Sequence, residues 1–234
     1  MKTIGLIGGM SWESTALYYR ILNEEVKSAL GGLHSARVVL YSVDFDEIEK
    51  LQSTGRWDEA GLQLAQAAQA LARAGAELLV LATNTMHKVV PQIQQAVAIP
   101  LLHIADATAE RIREHGLQKV GLIATRFTME ETFYHGRLTD EYGLEVITPD
   151  SDDRAFIHQV IYQELCLGII NPDSRARFRE IMAGLTAQGA EGIILGCTEI
   201  TMLVTADDAS VPLFDTTQIH AQSAVQQALR ENEM

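Results

Sequence analysis

Two short stretches carry the residues able to do chemistry: Thr83-Asn84-Thr85 and Cys197-Thr198-Glu199. Each follows an apolar run, where small polar side chains collect at a strand end. A thiol such as Cys197, placed near a helix N-terminus, would have its pKa lowered and become a usable base or nucleophile. The chain has one other cysteine, Cys166. It falls within an apolar helical pattern and reads as structural. Acyl transfer would require a base tied to the thiol and an orienting acid. His87 and His220 are present, but nothing in their spacing links either to Cys197. His87, just past Thr83-Asn84-Thr85, reads as a residue that orients that loop. The seven histidines show no metal-ligand spacing, and neither a serine elbow nor a phosphate-cradling lysine loop occurs. A cofactor-free, metal-free site remains.

The elements that position these residues are written twice. Gly75-Ala76-Glu77 opens the run ending at Thr83-Asn84-Thr85; Gly189-Ala190-Glu191 opens the run ending at Cys197-Thr198-Glu199, at an offset of 114. Ile4-Gly5-Leu6-Ile7-Gly8 recurs as Val120-Gly121-Leu122-Ile123-Ala124 at 116, and Ile99-Pro100-Leu101-Leu102 as Val211-Pro212-Leu213-Phe214 at 112. Short apolar runs bounded by turn residues mark buried parallel strands, and open α/β sheets place ligands at the carboxyl ends of such strands. The expected fold is α/β. Two pseudo-symmetric lobes each carry a parallel-type sheet flanked by helices, with the active site between them. The first lobe takes residues 1–104 plus 215–234, and the second 105–214. The repeat places Thr83 on Cys197.

Taken in order, residues 3–9 form a strand and a glycine turn, with Ser11 as the cap of the next helix. That turn reads as a tight strand-to-helix connection, as a cradle for a small anion, or as both at once. Strand 37–43 leads to an acidic stretch, Asp44 to Glu49, and a loop with Gln52, Gly55 and Trp57; a helix covers 58–74. In the second half, a helix runs to His115, a strand spans 119–124, and 129–142 is helical. A strand at 144–147, an acidic turn at Pro149–Asp153, and helices at 153–168 and 172–188 follow. The last strand pair precedes a final helix.

A length of 234 residues with 47% hydrophobic and 21% charged residues suits a globular protein. The net charge of −13 argues against nucleic acid and anionic membrane as partners. The first apolar run stops at Gly8-Gly9, too short for a signal peptide. Two cysteines without such a signal read as reduced thiols in a cytoplasmic protein.

Together, Gly8-Gly9-Met10-Ser11-Trp12-Glu13-Ser14-Thr15, Thr83-Asn84-Thr85-Met86-His87 and Gly196-Cys197-Thr198-Glu199-Ile200 resemble the aspartate/glutamate racemase family over essentially the whole chain. The nearest likeness is to bacterial amino-acid racemases that open with a glycine-methionine-serine-tryptophan-glutamate turn. The resemblance implies two lobes clasping a small amino acid without pyridoxal phosphate or metal, and a homodimer. In the family, one cysteine from each lobe flanks the α-carbon, and the second-lobe cysteine acts on the L-enantiomer. Here Cys197 matches the second cysteine, while Thr83 stands where the first would be. A thiol with an ordinary pKa of roughly 8.5 can serve as a base; a threonine hydroxyl has no comparable titration but can donate a proton. The resemblance therefore implies a racemase of aspartate or glutamate favouring L-substrates. By position, Asn84, Thr85 and Thr198 would hold the α-carboxylate or ammonium, with Thr125 their weaker counterpart. Met10 would line the site, and Gln52 stands where aspartate-specific members often carry arginine. A neutral amide grips a carboxylate less strongly than a guanidinium, which leaves room for broader specificity. Alternatives are a single-cysteine decarboxylase of the same superfamily and an amino-acid-binding protein without catalysis.

Overall fold

The computed structural model describes residues 1–230. By its contacts the chain divides into a first lobe, from Met1 to Ile104 and again from His220 on, and a second, Ala105–Ile219. The return to the first lobe thus falls inside the last helix rather than at residue 215. One reason is that Thr216 at the start of this helix donates its hydroxyl to the Leu195 carbonyl at 2.9 Å, holding its first turn to the second sheet. Residues 231–234 of the expected first-lobe range lie outside the described residues.

In the first lobe, β1 (Ile4–Gly8), β2 (Val38–Ser42), β3 (Leu78–Leu81) and β4 (Leu101–Leu102) form an all-parallel sheet in the order β2-β1-β3-β4. In the second, β5 (Lys119–Ala124), β6 (Glu145–Ile147), β7 (Gly192–Gly196) and β8 (Leu213–Asp215) repeat this as β6-β5-β7-β8. The helices are α1 (Trp12–Leu30), α2 (Phe45–Ser53), α3 (Trp57–Arg73), α4 (Val90–Ala96), α5 (Ile104–Glu114), α6 (Arg126–Glu130), α7 (Thr132–Tyr142), α8 (Ser151–Gln163), α9 (Pro172–Ala187), α10 (Ile200–Leu203) and α11 (Thr216–Leu229).

Side chains on the central strands alternate between two cores, as strand geometry requires. In the first lobe, Ile7, Leu79 and Leu81 join a buried cluster with Ile48, Leu51, Leu64, Ala68 and Leu71 of α2 and α3. On the opposite face, Ile4, Leu6, Val80 and Ala82 pack with Tyr18 and Leu22 of α1 and with Ala221, Ala224 and Val225 of α11.

The duplicated motif has a structural role in each of its three residues. Gly75 and Gly189 end α3 and α9 at φ +91° and +95°, a conformation open to glycine without steric penalty. Ala76 and Ala190 are buried, and their N–H groups return to Leu71 and Leu185 at 3.0 and 3.1 Å. Glu77 accepts from Thr3 N at 2.7 Å, and Glu191 from Gln118 N and Lys119 N at 2.8 and 3.0 Å. Each glutamate thereby clamps the start of the neighbouring central strand. Glycine inside that strand is forced by crowding. A Cβ on Gly5 would lie 2.8 Å from Ala76 Cβ, and one on Gly121 2.7 Å from Ile193 Cδ1.

Three local expectations change. The acidic stretch after β2 is helix α2, whose N-cap Asp44 accepts from Asp46 N; acids at a helix N-terminus favour its formation. Gln52 therefore lies on the last turn of α2 and not in a loop. The acidic turn near Pro149 starts α8, with Asp150 accepting from Asp152 N and Asp153 N. The 129–142 helix is interrupted at Glu131, which takes extended angles between α6 and α7.

Candidate active site

Each sheet reverses its strand order between its two central strands, β1/β3 and β5/β7. The crevice at such a reversal, outside the carboxyl ends, is where open α/β sheets place ligands. The β1–β3 register pairs Ile7 with Leu81, which brings the Gly9-Met10 turn beside the Thr83 loop. The β5–β7 register pairs Ala124 with Gly196, so Thr125 and Cys197 are the next residues out of adjacent strands.

In the first lobe Met10, Gln52, Thr83, Asn84 and Thr85 are all buried. Met10 joins Ile48, Leu51 and Met86 in the core, and Gln52 Nε2 lies 2.9 Å from Met86 Sδ. The end of α2 is thus fastened to the loop after β3. The glycine turn is a tight connection. Gly9 sits at φ +93°, a Cβ there would lie 2.2 Å from the Val43 carbonyl oxygen, and its N–H donates to Thr15 Oγ1 at 2.8 Å. Ser11 caps α1 by accepting from Ser14 N at 3.3 Å.

His87 does hold the loop. Its Nε2 accepts from Ile104 N at 3.1 Å, so the ring proton sits on Nδ1 and is donated to the Thr83 carbonyl at 2.7 Å. Burial, with His103 and His220 beside it, keeps His87 well below the ordinary histidine range; the rings of His87 and His103 meet edge-on at 4.5 Å. His220 Nε2 lies 3.0 Å from the Leu102 carbonyl and its Nδ1 2.9 Å from Tyr18 Oη. With Nε2 donating to the carbonyl, Nδ1 accepts from the tyrosine.

In the second lobe, Thr125, Cys197 and Thr198 are also buried. Thr125 Oγ1 is 3.2 Å from Thr128 Oγ1. Cys197 Sγ donates to Glu199 Oε2 at 3.0 Å, and the Thr198 hydroxyl donates to the same oxygen at 2.6 Å. The thiol is therefore not lowered in pKa, as a position by a helix N-terminus would suggest. Burial pushes it well above its ordinary value, and Glu199 and Cys166 add to the rise. The adjoining α10 has four residues, and a carboxylate stands where a long helix would present positive potential. Cys166 lies half-buried in a 3₁₀ turn, Leu165–Leu167, rather than in a continuous helix.

Glu199, to which motif reading gave no role, is joined to Cys197 and Thr198 by these hydrogen bonds. The available signal was an acid two residues beyond a strand-end cysteine.

Residues 7–224 match the family model described as Asp/Glu/Hydantoin racemase. A crystal structure of a putative Asp/Glu racemase from Yersinia pestis superposes with a TM-score of 0.93 at 59% identity, covering 98% of this chain and 100% of that one. An aspartate racemase homologue from Pyrococcus horikoshii OT3 gives 0.83 at 36% identity, with the same coverage. The broad specificity amino-acid racemase RacX of Bacillus subtilis (strain 168) is 24% identical over 95% of this chain and 96% of its own. With a match over nearly its whole length, and sheets that place a thiol at one reversal point and a hydroxyl at its repeat, this chain belongs to the Asp/Glu/hydantoin racemase family.

Proposed function

We propose that this protein racemises aspartate and glutamate without pyridoxal phosphate or metal, with Cys197 as the base for the L-enantiomer and Thr83 as the opposing proton donor. The observation that carries the reading is the pairing of unlike residues at equivalent strand ends. Cys197 follows β7 as a thiol hydrogen-bonded to a carboxylate, and Thr83 follows β3 two residues beyond the strand. A thiol can exchange a proton with an α-carbon; an alcohol can return one to a strongly basic carbanion but is a poor base. Such an enzyme removes the α-proton of L-substrates readily and that of D-substrates poorly. The equilibrium between enantiomers is set by the substrates, so net racemisation is slow in both directions while α-proton exchange of the L-form is fast. Asn84, Thr85, Thr125 and Thr198 are proposed to hold the α-carboxylate and ammonium, with Met10 as lining. Gln52, a neutral amide, leaves room for side chains other than acids; the broad specificity of the Bacillus subtilis racemase supports that latitude. Assembly as a homodimer belongs to the same proposal.

The test follows α-proton exchange by NMR in deuterated buffer with L-Asp, L-Glu, D-Asp and D-Glu. Exchange from the L-forms, reduced at least about 10³-fold by Cys197→Ser, is the expected result. Saturable binding with no exchange from any of the four would overturn the reading.

A further inference from the structure

We propose that the open edge of the first sheet is the surface on which two copies of this chain join, β2 pairing antiparallel with β2 of a second copy across a two-fold axis at Leu40. The inference rests on the homodimer in the reading above and on none of its chemistry. β2 is the outermost strand of its sheet and five residues long. Ile4 N donates to the Arg37 carbonyl at 2.8 Å, and Val43 N to the Gly8 carbonyl at 3.0 Å. By alternation the N–H and C=O groups of Val39 and Tyr41 face β1, and those of Val38, Leu40 and Ser42 face outward. Among the described residues no strand lies on that side. From Val38 to Ser42 the strand carries no charge, and such an edge is a template for another strand. The duplicated lobe has the guarded alternative. Its matching edge, β6, has three residues, and one of them is Glu145, ion-paired to Lys119 at 2.8 Å. Shortness and charge protect an edge; β2 has neither.

Apolar side chains line both sides of this edge. Val38 packs toward the α1 core and Val39 toward the α2–α3 core, so Leu40 follows the first and Tyr41 the second. Both are exposed. Trp12, Tyr19, Asn23 and Leu30 recur at helical spacing on one stripe of α1. Asn23 turns that stripe toward the edge. Its Oδ1 accepts at 3.0 Å from the N–H of Ala36, just before β2, and its Nδ2 donates to the Tyr19 carbonyl at 2.7 Å. Trp12 is 68% exposed and Tyr19 53%, and Leu33, in the link from α1 to β2, is wholly exposed. The open surface of these side chains is roughly 600 Å² per copy, close to the ~800 Å² that each partner gives to a standard interface. A chain of net charge −13 repels its own copies through its charged faces, and this uncharged flank is where they can approach. A two-fold axis makes the edge its own complement. With the axis at Leu40, the central outward residue, that residue exchanges two backbone hydrogen bonds with its counterpart, Val38 pairs with Ser42 on either side, and the two sheets become one.

The experiment is sedimentation of the full-length protein. The parent sediments as a dimer at about 10 µM. Leu40→Lys sets two like charges against each other across the axis and weakens association at least about 100-fold. Tyr19→Lys, on an exposed helix surface where the fold tolerates the change, weakens it at least about tenfold. Leu62→Lys, on an exposed leucine of α3, leaves the dimer intact. In a Cys166→Ser background, Leu40→Cys brings two thiols within disulfide reach, and mild oxidation gives a covalent dimer that Leu62→Cys does not. A dimer that survives both lysine variants, or that gives no Leu40→Cys cross-link, would overturn the edge and leave the homodimer standing. A parent that is monomeric even at about 100 µM would overturn both and leave the flank to a different protein. α-Proton exchange is read on the same samples, and its absence would sink the racemase chemistry without touching the interface.

Discussion

The loops after β3 and β7 hold corresponding positions in a duplicated frame, and they have diverged in opposite directions. After β3, Thr83 is held through its backbone by a histidine four residues on, and the buried ring is kept neutral. After β7, the Thr198 carbonyl is held by the Thr201 hydroxyl at 2.9 Å, and the residue matching Thr85 is an acid, Glu199, bonded to the thiol. One loop is braced and carries an alcohol; the other carries a thiol hydrogen-bonded to an acid. Beneath them the frame barely differs. Gly5 and Gly121, Gly75 and Gly189, Glu77 and Glu191 do the same work in both lobes. The residues past these two strand ends differ, where loops can change without cost to packing.

The largest test of this contrast converts one loop toward the other. Thr83→Cys places a titrating thiol after β3, and α-proton exchange from D-Asp and D-Glu should rise at least about 100-fold, read by NMR against unchanged D-form signals in the parent. No gain would mean that the two strand ends are not equivalent in function. A smaller effect separates the two frames. Overpacking by one methyl costs typically about 1–3 kcal/mol. Gly5→Ala should cost more than Gly121→Ala in denaturant unfolding, since Ala76 Cβ is rigidly attached to backbone whereas Ile193 Cδ1 and Leu185 Cδ1 are ends of flexible side chains. Equal costs would show that the second lobe packs as stiffly as the first.

The smallest effect is in pH. His87, depressed in the folded chain, takes up a proton more readily when unfolded. Stability is therefore lost as pH falls below about 6.5, by at most about 1.4 kcal/mol per pH unit. Cys197, raised in the folded chain, gives up its proton more readily when unfolded. Stability is lost in that case as pH rises above about 8.5. His87→Asn should flatten the acid limb alone and Cys197→Ser the alkaline limb alone, measured as midpoints of urea unfolding. If either variant flattened the opposite limb, the assignment of the two titrations would be reversed.

Most of the frame was legible in the residues because its devices are local. A glycine that ends a helix, an alanine that packs beneath it and a glutamate that clamps a strand recur together, and β3 and β7 were visible as their consequence. The acidic stretch after β2 was not legible as α2: nine residues rich in Asp and Glu give little apolar periodicity, and the helix depends on Asp44 as cap and on burial of Ile48 and Leu51. With α2 unseen, Gln52 read as a loop residue. Glu199 was passed over for another reason. Whether an acid two residues past a thiol turns toward it depends on the path of the loop, which no spacing rule specifies.

The hydrogen bond from Tyr18 to His220 spans 202 positions of chain. The face of the first sheet covered by α1 also needs Ala221, Ala224, Val225 and Ala228 for closure. On the ribosome, therefore, this apolar face emerges early and waits uncovered while more than 200 further residues are made. The second lobe, contiguous from Ala105 to Ile219, is complete before that cover arrives. Until α11 is made, the α1 side of the first sheet lacks part of its apolar cover, a state in which exposed hydrophobic surface is prone to association.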